Sequence, residues 1–362
     1  RHCQRHIFRG TRISEQGRRN RPVVVTTHIW VSSAHSGLEL EIRPHTDENA
    51  LLTRRFALCS RTLLARSIHM QRRPLGKTGI SVSALGFGAG HIGTPEMTED
   101  HAGTLLNRAI DRGINVVDTA PGYGLSEERI GRHLSWRRAD IVISTKGGYG
   151  VAGVPDWTSE CIVRGVEQAL GRLQTDWIDI FHLHSCPLET LRRDDILRAL
   201  EDVVQAGKVR VAAYSGENDA LTWAIESNRF GAIETSVNLC DQRVVDKHLS
   251  SEVTHHLGVI AKRPLANAPW RFGDRPTGHY AEAYWERLRQ LDIDPGDLPW
   301  DELALRFAVF CPGVSTAIAG TASLVNLERN IRVTNRGPLP SNEVTQIREA
   351  FRLHDQNWIG LI

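Results

Sequence analysis

The chain has 362 residues, 41% of them hydrophobic, and its 44 lysines and arginines nearly balance its 42 acids, for a net charge of +2. That composition is enough for one large globular domain or two ordinary ones, and it excludes a chain that is disordered throughout. The small net charge gives no indication of nucleic-acid or membrane-surface binding, and no apolar run approaches the roughly 18 residues of a transmembrane helix.

The charge is divided unevenly along the chain. Residues 1–69 contain twelve arginines, no lysine and five acids, a balance of +7, whereas residues 70–362 have a balance of −5. The first methionine is Met70. We therefore expect residues 1–69 to be a basic extension that is disordered or not native, and residues 70–362 to form the folded domain.

Cysteine usage and charge favour a cytoplasmic protein. Four of the six cysteines lie in residues 70–362, widely spaced and without a CxxC pair, so we expect buried small side chains and no disulfide framework or zinc site. Residues 51–69 are rich in arginine, leucine and serine and resemble a transit peptide, which leaves organellar import as the alternative.

From Met70 onward the sequence alternates short β-branched runs with amphipathic stretches. Residues 73–85 predict a β-hairpin, with its turn at residues 76–79. Eight strands are predicted after it, and several are continuous apolar runs of the kind found in strands buried on both faces. They are residues 83–87, 114–118, 141–146, 178–184, 209–214, 232–237, 259–262 and 316–319.

Helices are predicted between these strands. Thr158 is a candidate N-cap for a helix that continues to Leu173. Further helices are predicted from Glu99 to Gly113, from Leu188 to Gly207, and over residues 303–310 and 324–331. Eight β/α units in about 250 residues are typical of a barrel. We therefore predict an α/β fold, a (β/α)8 TIM barrel with an N-terminal β-hairpin closing its bottom.

Three of the predicted strands end in an ionisable residue. Asp118, Lys146 and His184 each follow an apolar run, and Tyr123 lies five residues beyond Asp118 in a Pro-Gly-Tyr-Gly turn. Because the C-terminal ends of all barrel strands lie on one face, these side chains are expected to converge there. Taken singly, each residue more often has a structural role. An aspartate after a strand is more often a cap or turn former, a tyrosine between two glycines a loop anchor, and a lysine after a strand a solvent-exposed side chain. Only the convergence of the four residues favours catalysis.

This set of residues is suited to the reduction of a carbonyl group. Tyr123 is the candidate general acid, and a charged Lys146 beside it is expected to lower its pKa towards neutrality. Asp118 is expected to hold Lys146 protonated, and His184 to orient the carbonyl by a hydrogen bond. Because no side chain can supply a hydride, the reaction requires a cofactor.

Residues 73 to about 330 resemble the aldo-keto reductase superfamily. The resemblance lies in residues 85–88 (LGFG), 117–120 (VDTA) with Tyr123 and Gly124, 144–146 (STK), 179–184 (DIFHLH), 207–210 (GKVR), and 319–321 (AGT) running to Asn330. It implies a (β/α)8 oxidoreductase that uses a nicotinamide cofactor and acts on a small carbonyl or alcohol substrate. It also implies that Asp118, Tyr123, Lys146 and His184 occupy the four catalytic positions.

The same resemblance implies a set of cofactor-binding positions. Ser215 and Gly216 fall where the carboxamide is bound, Glu234 where a glutamine is common, and residues Pro264, Leu265 and Ala266 where the backbone holds the pyrophosphate. Gly320 and Asn326 replace basic residues that many members use for the 2′-phosphate of NADPH. Thr321 and Ser323 are candidate donors to that phosphate, and Asn330 is the implied adenine contact. The expected cofactor is therefore NADP(H) or NAD(H).

Two other motifs offer competing interpretations of the site. Residues 88–93 (GAGHIG) match the GxGxxG fingerprint of a dinucleotide-binding fold, although Thr94 and Pro95 delay the helix that should follow. His182 and His184 form an HxH pair like that of a metal-dependent barrel hydrolase, but the pair lies on the fourth strand and the eighth ends without an acid. We expect no metal, and we expect His182 to be a buried barrel histidine.

The functional alternatives remain within the barrel fold. One is an NAD-dependent sugar or alcohol dehydrogenase, and another is a barrel that senses the cofactor without turnover. The substrate is expected to be set by residues 147–157, residues 264–278 and the C-terminal tail. In these segments Tyr149, Trp157 and Trp270 are candidates to line an apolar pocket.

Overall fold

The computed structural model describes residues 7–9, 28–34, 37–41, 70–249 and 251–362. The chain divides into two compact units, Arg1–Ile68 and His69–Ile362. In the first unit, three strands form an antiparallel sheet: Ile7–Arg9, His28–Ala34 and Gly37–Glu41. That residues 1–69 are an extension outside the native domain stays a prediction.

The second unit contains the predicted barrel. Eight parallel strands close on themselves, because the last pairs with the first through Ala317 opposite Leu85. All eight overlap the predicted strands. In chain order β1–β8 are Leu85–Gly88, Val116–Asp118, Val142–Gly147, Ile178–His184, Val209–Ser215, Ala232–Ser236, Gly258–Lys262 and Thr316–Gly320. The (β/α)8 TIM barrel fold is confirmed.

Helices connect these strands and cover the outside of the barrel. Thr158 caps its helix as predicted, its hydroxyl accepting the backbone N–H of Cys161. The prediction of one helix from Leu188 to Gly207 is wrong. Two helices lie there, and they are separated at Arg192 and Arg193. The α-helices are Glu99–Asp111, Ser126–Leu134, Ser159–Leu173, Leu188–Leu191, Asp194–Gln205, Asn218–Glu226, Arg243–Lys247, Ser251–His256, Glu282–Leu291, Trp300–Val309, Leu324–Thr334 and Ser341–His354.

A β-hairpin closes the N-terminal end of the barrel. Its strands, Arg72–Pro74 and Ser81–Ser83, pair antiparallel. Leu75 and Val82 are fully buried in one apolar cluster with residues of the barrel interior, which include Val116, Val142, Ile180, Val211 and Ile260. The opposite, C-terminal end of the barrel is therefore the one left open for a site, as in other barrels of this type.

The remaining general expectations concern cysteines and membranes. Cys161, Cys186, Cys240 and Cys311 are free and buried. Among the residues that the structure describes, no helix is both long and apolar enough to cross a membrane. A cytoplasmic location stays a prediction.

Candidate active site

The four predicted catalytic side chains converge at the C-terminal end of the barrel. Asp118 ends β2, Lys146 lies one residue before the end of β3, and His184 ends β4. Tyr123 is held in a turn, where its N–H donates to Ala120 and its carbonyl accepts from Ser126. The Tyr123 ring lies 5.6 Å from the Lys146 nitrogen and meets the His184 ring edge-on at 6.5 Å between centroids.

Lys146 is the centre of a buried ionic network. Its Nζ donates to both carboxylate oxygens of Asp118 at 2.7 Å and to the Thr119 carbonyl at 3.1 Å. Glu234 Oε2, from β6, lies 3.3 Å from the same nitrogen. Ser144 bridges Asp118 and His182, with its hydroxyl 2.8 Å from the first and 2.9 Å from the second. One ammonium is therefore shared by two buried carboxylates.

The charges of this network determine which groups are protonated. Burial alone would lower the Lys146 pKa, but the charges of Asp118 and Glu234 outweigh burial and raise that pKa above its usual value. For the two carboxylates, burial and mutual repulsion raise the pKa at which the pair takes up its first proton. Lys146 is therefore a permanent cation at neutral pH.

The expected effect of Lys146 on Tyr123 was wrong in its net direction. The ammonium does lower the Tyr123 pKa, but burial and the charges of Asp118 and Glu234 outweigh it and raise the pKa to about 12. The sequence indicates one carboxylate beside the lysine, that of Asp118, whereas the structure places two there. Tyr123 is accordingly a neutral phenol at neutral pH, which is the form that a proton donor needs.

Two histidines of β4 have different surroundings. His184 Nδ1 lies 2.7 Å from the hydroxyl of Tyr149, and burial followed by the charge of Lys146 lowers the His184 pKa to about 4. His182 is fully buried behind it, and burial lowers its pKa to about 3. Both imidazoles are therefore neutral at neutral pH. His182 occupies the barrel interior, as expected.

An open cleft of about 970 Å³ lies above this network. Asp118, Tyr123 and His184 line it, whereas Lys146 is buried beneath its floor. Most of the predicted cofactor positions line the same cleft: Ser215, Glu234, Pro264, Leu265, Gly320, Thr321, Ser323, Asn326 and Asn330. Gly216 and Ala266 are not among the lining residues. A Cβ at Gly216 would overlap the Tyr214 ring, so a glycine is required there by packing.

The cleft has features that fit a dinucleotide. The N-terminus of the helix Leu324–Thr334 faces it, with Ser323 as the N-cap and no acid in the first turn. Such a helix end favours a phosphate group through its free N–H groups and its dipole. Lys262, Arg263 and Arg271 add positive charge to the lining. The described residues therefore suit an anionic cofactor with polar ends.

The glycine-rich segment 88–93 lies at the barrel mouth. Gly88 ends β1 opposite Gly320, and residues Gly90–Gly93 form a short 3₁₀ helix, with the first α-helix starting only at Glu99. The closed barrel leaves no separate dinucleotide-binding domain in the described second unit. The alternative of a Rossmann fold is therefore wrong.

Of the three aromatic residues expected to line the pocket, one lines the cleft and two do not. Trp270 lines the cleft, but Tyr149 and Trp157 do not; they pack on each other with ring centroids 6.2 Å apart. Sequence reasoning missed the contacts of Tyr149 to His184 and of Ser144 to Asp118. Ser144 could have been found by its alternation with Lys146 along β3, which places both side chains on one face of that strand.

The fold and the site together are those of a barrel oxidoreductase, with a buried lysine–carboxylate network beside Tyr123. Residues 84–352 match the Aldo/keto reductase family. The chain belongs to that family, whose members generally use NADP(H) or NAD(H), and it is an oxidoreductase.

Individual relatives show how wide the similarity is. The chain is 28% identical over 279 residues to an L-galactose dehydrogenase of Arabidopsis thaliana, covering 72% of this chain and 87% of that one. It is 26% identical over 317 residues to a probable voltage-gated potassium channel subunit beta of Oryza sativa subsp. japonica, covering 78% and 96%. An aldo-keto reductase structure from Bacillus halodurans, in its holo form, is 28% identical with a TM-score of 0.69, covering 78% and 96%.

The position of Tyr123 depends on Gly93, which gives a testable prediction. A Cβ at Gly93 would overlap the carbonyl oxygen of Tyr123, whereas a Cβ at Gly90 would lie an ordinary 3.7 Å from the Tyr123 ring. Because a displacement of about 1 Å can cost about 100-fold in rate, we expect Gly93→Ala to lower kcat/KM about 100-fold. Steady-state kinetics of both alanine variants checks this; equal activity of the two would contradict it.

Proposed function

We propose that the chain interconverts carbonyl compounds and alcohols by hydride transfer with a nicotinamide cofactor, with Tyr123 as the general acid. The observation that carries the proposal is the convergence of Tyr123, His184 and the Lys146–Asp118 ion pair at the cleft. In that pair, Lys146 Nζ lies 2.7 Å from the Asp118 carboxylate. Carbonyl reduction needs a proton donor and a hydrogen-bond donor at the same oxygen, and these side chains provide both.

Each residue has a distinct role in this proposal. Tyr123 gives its phenolic proton to the carbonyl oxygen as negative charge develops there. Lys146 stabilises the resulting phenolate, since its ammonium lies 5.6 Å from the ring centroid and remains charged. Asp118 holds that ammonium in place through two hydrogen bonds of 2.7 Å. His184, neutral at neutral pH, donates a hydrogen bond that orients the carbonyl.

The cofactor is proposed to lie along the cleft. Ser215 and Glu234 would hold its carboxamide end, the helix N-terminus at Ser323 a phosphate, and Asn330 the adenine. When bound, the nicotinamide supplies the hydride that no side chain provides. Neither Gly320 nor Asn326 brings a positive charge, so we propose that NADH is used as well as NADPH.

A sugar is the substrate class that we propose first. A hemiacetal or open-chain sugar offers a carbonyl or hydroxyl at the reacting carbon and several other hydroxyls. The cleft lining includes polar side chains that could receive them, such as His91, His279 and Asn267. The similarity to an L-galactose dehydrogenase supports the same class. Simple aldehydes and ketones are the wider alternative.

Two other functions are less compatible with the site. Asp118, His182 and Glu234 have ligand atoms within 4.8 Å of one another, the arrangement of a candidate metal site. However, the Lys146 ammonium lies 2.7 and 3.3 Å from the two carboxylates, so a metal ion there would face a fixed positive charge. A barrel that only senses the cofactor would not need Tyr123 and Lys146 together.

A spectrophotometric screen tests the proposed function. The full chain is assayed with NADH and with NADPH against aldehydes, ketones and open-chain sugars, and with NAD and NADP against sugars and alcohols. We expect turnover with a carbonyl or sugar substrate and no dependence on added metal or chelator. Cofactor binding without any turnover would favour the sensing barrel, and stoichiometric zinc in the purified protein would contradict the proposal.

A further inference from the structure

A second tyrosine contacts the candidate catalytic histidine from outside the cleft. The Tyr149 hydroxyl lies 2.7 Å from His184 Nδ1, and the two rings are 5.5 Å apart between centroids. His184 lines the cleft, whereas Tyr149 is not among the lining residues. Tyr149 therefore contacts His184 on the side away from the place where a substrate would bind.

The chemistry of the two groups fixes the direction of this hydrogen bond. A phenol hydroxyl, with an ordinary pKa of about 10, is a strong donor, whereas the free ring nitrogen of a neutral imidazole, with an ordinary pKa of about 6.5, is a strong acceptor. Within the described residues His184 Nδ1 is the side-chain partner of the Tyr149 hydroxyl, and burial keeps the ring neutral by lowering the His184 pKa to about 4. Tyr149 accordingly donates, and Nδ1 accepts with its lone pair.

The acceptor role of Nδ1 fixes the state of the whole ring. A neutral imidazole has one N–H donor and one acceptor nitrogen, so an accepting Nδ1 requires the hydrogen on Nε2. His184 Nε2 forms no hydrogen bond to the described residues, and the ring borders the cleft. We propose that Tyr149 is a positioning residue that holds His184 in the Nε2–H tautomer, so that His184 donates a hydrogen bond to the oxygen of a bound carbonyl or sugar substrate.

Tyr149 also packs against the turn that holds Tyr123. A Cβ at Gly122 would lie 3.2 Å from the Tyr149 hydroxyl, and Gly122 directly precedes Tyr123 in the chain. Trp157 packs against Tyr149 at 6.2 Å and is anchored by its own N–H to the Gly148 carbonyl at 2.7 Å. Tyr149 thereby contacts both the His184 ring and the turn that carries Tyr123. The Tyr123 hydroxyl and the His184 Nε2–H are the two groups proposed to meet the carbonyl oxygen.

This inference rests on the proposed function for its catalytic consequence but not for the tautomer itself. The test compares Tyr149→Phe with Tyr214→Phe in the full chain. Tyr214 is a matched control, since it is a buried tyrosine whose hydroxyl donates to a backbone carbonyl, that of Cys186 at 3.3 Å, and does not contact His184. The tautomer is measured from ¹⁵N chemical shifts of the histidine rings by NMR, and His184 is assigned with His184→Gln.

In the wild type and in Tyr214→Phe, we expect His184 in a single Nε2–H form. In Tyr149→Phe we expect a mixture with the Nδ1–H form and a loss of about tenfold in kcat/KM, the size of one neutral hydrogen bond of about 1.4 kcal/mol. Cofactor affinity should be unchanged. An Nδ1–H form in the wild type, or an unchanged tautomer in Tyr149→Phe, would overturn the proposal. A changed tautomer in a chain that reduces no carbonyl would instead overturn the proposed function.

Discussion

Replacing Tyr123 with phenylalanine is expected to reduce carbonyl reduction by about 10²–10⁴-fold, the usual contribution of a positioned general acid. The ring of the variant can keep its place beside His184 and above Lys146, because only the hydroxyl is removed. In the proposed mechanism, what is lost is the proton that neutralises the developing alkoxide. The loss should therefore appear in kcat, while the affinity for the nicotinamide cofactor stays close to that of the wild type.

Steady-state kinetics and a fluorescence titration with NADH and NADPH measure the two effects separately. Two other tyrosines of the chain supply graded controls. Tyr214→Phe removes a buried hydroxyl that does not line the cleft and should retain activity, and Tyr149→Phe should lose about tenfold through His184. A Tyr123→Phe protein that reduces carbonyls at the wild-type rate would show that the proton comes from another group.

The positions of the candidate catalytic side chains could be predicted because the barrel determines them. Asp118, Lys146 and His184 each stand at the end of an apolar run, and parallel strands in a closed barrel bring all such ends to one face. Recognising the eight alternating β/α units in the sequence was enough to place these side chains together. The hairpin could be predicted from the glycines of its turn. Gly76 has a φ of +52° in that turn, a conformation that favours glycine.

The electrostatics of the site could not be predicted in the same way. Glu234 lies in the middle of β6, and the resemblance to the family assigned it to the cofactor alone. Its 3.3 Å approach to Lys146 depends on how neighbouring strands are staggered, which local sequence does not encode. The Lys146 ammonium lowers the Tyr123 pKa, but burial and the charge of Asp118, with this second carboxylate added, outweigh it and raise that pKa to about 12.

Side-chain contacts made by loops could not be predicted from the sequence either. Tyr149 lies in the segment after β3, and its direction is set by Gly148, whose φ is +108°, and by the Trp157 ring packed against that glycine. A period of two or of 3.6 residues indicates which face of a strand or helix is buried, but no such period exists in a loop. The contact between Tyr149 and His184 therefore became visible only in three dimensions.

Replacing Lys146 with methionine is expected to destabilise the protein by about 3–5 kcal/mol, the cost of leaving a buried charge without its partner. Methionine is close to lysine in length, so the barrel interior loses the charge without a large cavity. Asp118 and Glu234 are 2% exposed and would face each other with no cation between them. Urea unfolding followed by tryptophan fluorescence measures the change, and activity should be lost as well because Tyr123 loses its neighbouring positive charge.

The pH dependence distinguishes this cause from a simple packing defect. Without Lys146 the two carboxylates have folded-state pKa values above those of the unfolded chain, so the folded state binds protons more readily and the penalty decreases as the pH falls. The difference in unfolding free energy between wild type and Lys146→Met should therefore be smaller at pH 5 than at pH 8. Adding Asp118→Asn and Glu234→Gln should recover part of the lost stability, as expected for coupled sites. A penalty that is the same at both pH values and in the triple variant would mean that Lys146 stabilises the barrel by packing and not by charge.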